Sequence, residues 1–64
     1  MPVIQVDMLP GRTAEQKREL IEVFTREFVR ICKTSPEAVK IVIRDIPPES
    51  FGSGGVPLSE QAGR

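Results

Sequence analysis

Sixty-four residues and 7.1 kDa leave room for one small domain. Nine basic residues balance nine acidic ones, so no excess charge draws the chain to nucleic acid or to an anionic membrane. No apolar run is long enough to cross a bilayer. A single cysteine and no histidine exclude an intrachain disulfide and a zinc site.

Residues 1–9 predict a strand. In PVIQVDML, Ile4, Val6 and Met8 fall on one face, and Val3, Gln5, Asp7 and Leu9 on the other. The segment carries no basic stretch and has Asp7 among its apolar residues, which is unlike a secretory signal and points to the cytoplasm. Pro10-Gly11 stops the strand. Thr13-Ala14-Glu15-Gln16 is a capping box, and a helix is predicted over 14–33. Leu20, Ile21, Phe24, Phe28 and Ile31 make its apolar stripe, with Lys33 at its carbonyl end. Ser35-Pro36-Glu37 starts a single turn, with Ser35 as cap. A second strand follows over 39–46 and ends at Pro47-Pro48. The Gly-, Ser- and Pro-rich remainder, 51–64, suggests a small hairpin or a mobile cover at Phe51–Gly55, then a tail beyond Val56 that orders only against a neighbour.

Strand, helix, strand is a βαβ unit, so the fold class is α/β with parallel strands, one helix and a small C-terminal hairpin. Two strands under one helix leave a bare sheet face and bare edges. The apolar burial open to a lone chain of this size is about offset by the cost of ordering it. Both points predict an oligomer.

Without histidine, few groups exchange protons near neutrality. The exceptions are Cys32 and the α-amino group, the latter at about 7.7 to 8.0 in ordinary peptides. A small residue after Met1 permits removal of that methionine, which makes the terminal amine the ring nitrogen of Pro2. Burial and nearby cations both lower the pKa of such an amine, toward the value a general base requires. Arg12 follows the first strand and Lys40 opens the second. Pro2 and Lys40 therefore share one end of a parallel sheet, whereas Pro2 and Arg12 bracket a strand spanning roughly 25 Å. A site using Pro2 and Arg12 together must take Arg12 from another chain.

These residues resemble the 4-oxalocrotonate tautomerase family of the tautomerase superfamily. The resemblance lies in Met1-Pro2, Leu9-Pro10-Gly11-Arg12-Thr13, Glu15-Gln16-Lys17, Leu20-Ile21, the VKIVIRDI strand and Phe51-Gly52-Ser53-Gly54-Gly55, and it runs without a gap along almost the whole chain. It implies a hexamer of three dimers with shared sites, no metal and no organic cofactor. It also implies a keto–enol isomerase acting on an unsaturated 2-hydroxy- or 2-oxo-acid such as 2-hydroxymuconate, in aromatic-hydrocarbon catabolism. Pro2 matches the family's base, Arg12 its carboxylate-binding arginine from a neighbouring subunit, and Phe51 its pocket-lining aromatic. Leu9 is expected to line the substrate pocket. Lys40 stands where well-known members carry a second arginine, keeping the charge and losing the bidentate fork.

Other roles compete. A dehalogenase or hydratase on the same scaffold needs an acid to activate water, for which Asp7 and Glu49 are candidates. A non-catalytic oligomeric module would use the assembly alone. Arg44 is read as structural, Phe51 as packed, and Cys32 as a core or interface residue. The glycines after Phe51 do not make a phosphate cradle, because no Lys-Ser/Thr or helix start follows.

Overall fold

The computed structural model describes residues 1–61. Strand β1 (Val3–Met8) is followed by helix α1 (Ala14–Cys32), and strand β2 (Lys40–Asp45) returns parallel to β1. The register pairs Val3 with Lys40, Asp7 with Arg44 and Met8 with Asp45. One bond beyond each end extends the ladder: Lys40 N–H donates to the Pro2 carbonyl at 2.9 Å, and Ile46 N–H to the Met8 carbonyl at 2.7 Å.

The alternation expected from the sequence is observed. Ile4, Val6, Met8, Ile41 and Ile43 are half-buried, while Val3, Gln5, Asp7, Lys40, Val42 and Arg44 are exposed on the other face. The capping box is complete, with Gln16 N–H donating to Thr13 Oγ1 at 3.1 Å and Thr13 N–H to Gln16 Oε1 at 2.9 Å. The helix ends one residue earlier than expected. Lys33 takes a left-handed conformation (φ +56°) and its N–H closes on the Val29 carbonyl at 2.9 Å. The first strand is likewise shorter than 1–9, and the second shorter than 39–46. Pro36–Ala38 forms the expected single turn, with Pro36 at its first position and no side-chain cap from Ser35.

The apolar stripe needs correction. Leu20, Phe24 and Phe28 are half-buried, but Ile21 is 42% exposed and Ile31 64%. Two dimensions bear on Ile31. Lys17 Nζ meets Asp45 Oδ2 at 2.5 Å, which ties the start of α1 to the far end of β2. From there to Cys32 the helix, about 23 Å long at ~1.5 Å per residue, outruns a strand of about 20 Å. Its last turn lies at the Pro2 end, where Ile31 and Cys32 are exposed. Within the chain Cys32 is therefore not a core residue.

The C-terminal segment is also better ordered than expected. After a tight turn at Pro48–Ser50, β3 (Gly52–Ser53) and β4 (Val56–Pro57) pair antiparallel across Gly54-Gly55. Both glycines have positive φ, +62° and +85°, the conformation that a two-residue type I′ hairpin turn requires. Helix α2 (Leu58–Gln61) then folds back, and Gln61 Nε2 donates to the Val56 carbonyl at 2.9 Å. The tail expected beyond Val56 is thus structured locally through Gln61. The remainder of that tail, 62–64, lies outside the described residues.

Among the described residues Val39 alone is buried, at 9% exposure. The chain exposes 4909 Å², against about 4,100 Å² for a compact folded protein of this mass. Its radius of gyration is 15.2 Å, against about 11 Å for a compact domain of this length. Strands and helix are formed, yet the apolar surface they bring together is only half covered. No helix among the described residues is long and apolar enough to cross a membrane.

Candidate active site

Pro2 sits half-buried at the head of β1, its carbonyl fixed by Lys40 N–H. Met1 before it is 85% exposed. While Met1 remains, the Pro2 nitrogen is an amide; once Met1 is removed, it is a secondary amine. Lys40 lies beside it on the sheet face away from α1, and its ammonium donates to the Glu37 carbonyl at 3.0 Å. The parallel register thus brings the base candidate and a cation to one end of the sheet.

The other candidates belong to the opposite end. Leu9 and Arg12 follow β1 and are exposed. Gly11, at φ +127°, makes the turn that sends the chain into α1. Arg12 lines an open cavity of about 430 Å³ with Gln16, Glu19, Leu20 and Val23. Neither Pro2 nor Lys40 borders that cavity. The intervening strand is about 20 Å long, so the separation expected from the sequence holds.

Phe51 leaves the sheet on the segment after β2. Its backbone is held by its N–H on the Pro48 carbonyl at 3.4 Å and by Leu58 N–H on its own carbonyl at 2.7 Å. Its ring is not packed as expected: the residue is 47% exposed.

Arg44 has a structural partner. Its Nε donates to Asp7 Oδ1 at 2.7 Å and its Nη2 to Oδ2 at 3.5 Å, across the register pair. This occupies Asp7, one of the two acids on which a dehalogenase reading leaned. Glu49, the other, is exposed in the turn after β2. On the surface of α1, hydrogen bonding and the charge of Arg30 hold the Glu27 carboxyl below its ordinary range, and Glu27 in turn raises Arg30. Among the described residues no three His, Cys, Asp or Glu side chains gather as a metal site.

Sequence reading treats Gln16 as a cap alone, yet it also forms part of the Arg12 cavity wall. The signal was available in the spacing: Gln16, Glu19, Leu20 and Val23 recur at three and four residues, one face of a helix.

Residues 2–61 match the family model described as tautomerase enzyme. The chain belongs to the tautomerase family. It is 40% identical over 60 residues to the 2-hydroxymuconate tautomerase of Comamonas testosteroni, covering 94% of this chain and 95% of the relative. A 4-oxalocrotonate tautomerase isozyme of Methylibium petroleiphilum superposes with a TM-score of 0.85 at 35% identity, with 94% of each chain covered. A heterohexameric 4-oxalocrotonate tautomerase from Chloroflexus aurantiacus gives 0.82 at 28% identity, over 94% of this chain and 97% of that one. Tautomerases are isomerases, and the βαβ unit with its C-terminal hairpin is the tautomerase fold.

Proposed function

We propose that this tautomerase converts an unsaturated 2-hydroxy-acid such as 2-hydroxymuconate to its 2-oxo form, with the amine of Pro2 as general base. We further propose that it acts as a homo-oligomer, a hexamer, with active sites shared between protomers. One observation carries the reading: Pro2 and Lys40 lie at one end of the sheet, and Leu9 and Arg12 at the other. The exposed apolar surface and the Chloroflexus heterohexamer support assembly, which would bring unlike ends together.

In this scheme an aminopeptidase removes the exposed Met1. The freed Pro2 amine accepts the proton of the substrate's 2-hydroxyl. The O–H electron pair forms the carbonyl, the conjugated double bond shifts, and the proton is delivered to a chain carbon, regenerating the neutral amine. Nothing is oxidised or reduced, and the protein's part requires no cofactor. Lys40 faces the oxygen on which negative charge develops, where a fixed donor acts most strongly. Its ammonium keeps two N–H donors after the bond to Glu37. Arg12 from a neighbouring protomer holds a substrate carboxylate through its guanidinium fork. Leu9 and Phe51 shield the carbon chain from water.

The test is a ketonisation assay on 2-hydroxymuconate and phenylenolpyruvate, with intact mass measured on the same samples. Pro2→Ala, cleaved of Met1 like the natural chain, should lose about 10²- to 10⁴-fold in kcat. Full activity in that variant, or in protein that retains Met1, would refute the base. A natural chain that binds neither compound and turns over neither would favour a non-catalytic module.

A further inference from the structure

We propose that Gln16 is a substrate-binding residue, its side-chain amide donating to the same carboxylate that Arg12 holds. The inference rests on the tautomerase reading for the identity of the ligand, and on the wall of the Arg12 cavity for the site.

The capping box fixes which end of the Gln16 amide faces where. Its Oε1 accepts from Thr13 N–H at 2.9 Å, and the reverse orientation would set two donors against each other. Nε2 is therefore the end left over, and it donates to no group among the described residues. Arg12 likewise has no carboxylate partner among them, unlike Arg18, Arg30 and Arg44. Two unused donors thus border one cavity, one of them a guanidinium. Leu20 and Val23, half-buried along the same helix face, give an apolar floor. Glu19 stands exposed at the rim. A second carboxylate entering here would meet its negative charge, so the cavity suits one carboxylate joined to an unsaturated carbon chain.

Gln16→Glu separates this role from the capping role. Glutamate serves as well as glutamine at this position of a capping box, and a negative charge in the first turn favours the helix. The variant therefore keeps the cap while replacing the Nε2 donor with an acceptor beside Arg12. With 2-hydroxymuconate, KM should rise by about ten-fold or more with kcat within about two-fold. The thermal midpoint should stay the same or rise. Unchanged KM, or a loss confined to kcat, would overturn the assignment, as would a fall in midpoint that accounts for the defect.

A second arm does not depend on turnover. Muconate (hexa-2,4-dienedioate) carries the carboxylates but has no hydroxyl proton to give up. Titrated into ¹⁵N-labelled protein, it should shift the Gln16 side-chain amide resonances. A silent Gln16 amide, whether other resonances move or none do, would overturn the proposal. Should Pro2→Ala prove fully active, the base would be lost and this arm would still decide the role of Gln16.

Discussion

The two ends of the sheet are built by different physics. At the Pro2 end, position comes from the ladder: Lys40 N–H on the Pro2 carbonyl fixes one residue against the other, and the Glu37 carbonyl holds the lysine's ammonium. At the Arg12 end, position comes from local chain chemistry: a glycine with positive φ, a capping box, and a helix flank that supplies the cavity wall. Neither end is a site alone. The first has a base candidate and a point charge but no guanidinium clamp, since Arg44 lies toward the other end of β2 and is committed to Asp7. The second has a clamp and no base. A strand of about 20 Å keeps them apart in one chain. Under the proposed function, oligomerisation and catalysis would be one requirement, both drawing on the apolar surface left uncovered within the protomer.

Substitutions at the two ends should separate their roles. After Pro2→Ala, Lys40→Ala should have the largest effect, about 10²-fold or more on kcat, because under the proposed mechanism it removes the donor facing the developing oxyanion. Arg12→Ala should act on kcat/KM by about 10- to 150-fold, chiefly through KM, as expected for a charge-assisted hydrogen bond to substrate. Arg44→Ala, on the same sheet face as Lys40, should change kcat/KM by less than about three-fold, since its partner is Asp7 and not substrate. Steady-state kinetics on 2-hydroxymuconate read all three. An Arg44 effect as large as that of Lys40 would erase the distinction drawn between them. Thr13→Ala should be the mildest toward catalysis. It breaks the cap and should cost about 1 kcal/mol in denaturant unfolding, with any kinetic loss confined to KM through a loosened Arg12.

Much of this was legible in the chain. Alternation at Ile4, Val6 and Met8 gave the inner face of β1, and Thr13 with Gln16 gave the helix start. The pair of glycines after Ser53 gave the hairpin turn, because each pattern is local. What escaped depends on distances between elements. Period alone puts Ile21 and Ile31 in the stripe. How much of that stripe a two-stranded sheet covers depends on strand length and on where Lys17 meets Asp45. The Arg44–Asp7 pair follows from the register, which no single strand reveals. Gln61 ties α2 to the Val56 carbonyl, a contact that exists only once the hairpin has turned. At the site, Pro2, Lys40 and Arg12 could be sorted by sheet end from topology alone. The half-exposed ring of Phe51 could not, since its cover is not local.

Subunit mixing tests the shared site most directly. Pro2→Ala and Arg12→Ala chains, each strongly impaired alone at substrate concentrations below KM, are unfolded together in equal amounts, refolded and assayed under that condition. Sites that take Pro2 from one chain and Arg12 from another should recover, to about a quarter of the natural specific activity for random assembly. A mixture no more active than its parents would mean that Pro2 and Arg12 must come from the same chain, and the shared site would be wrong.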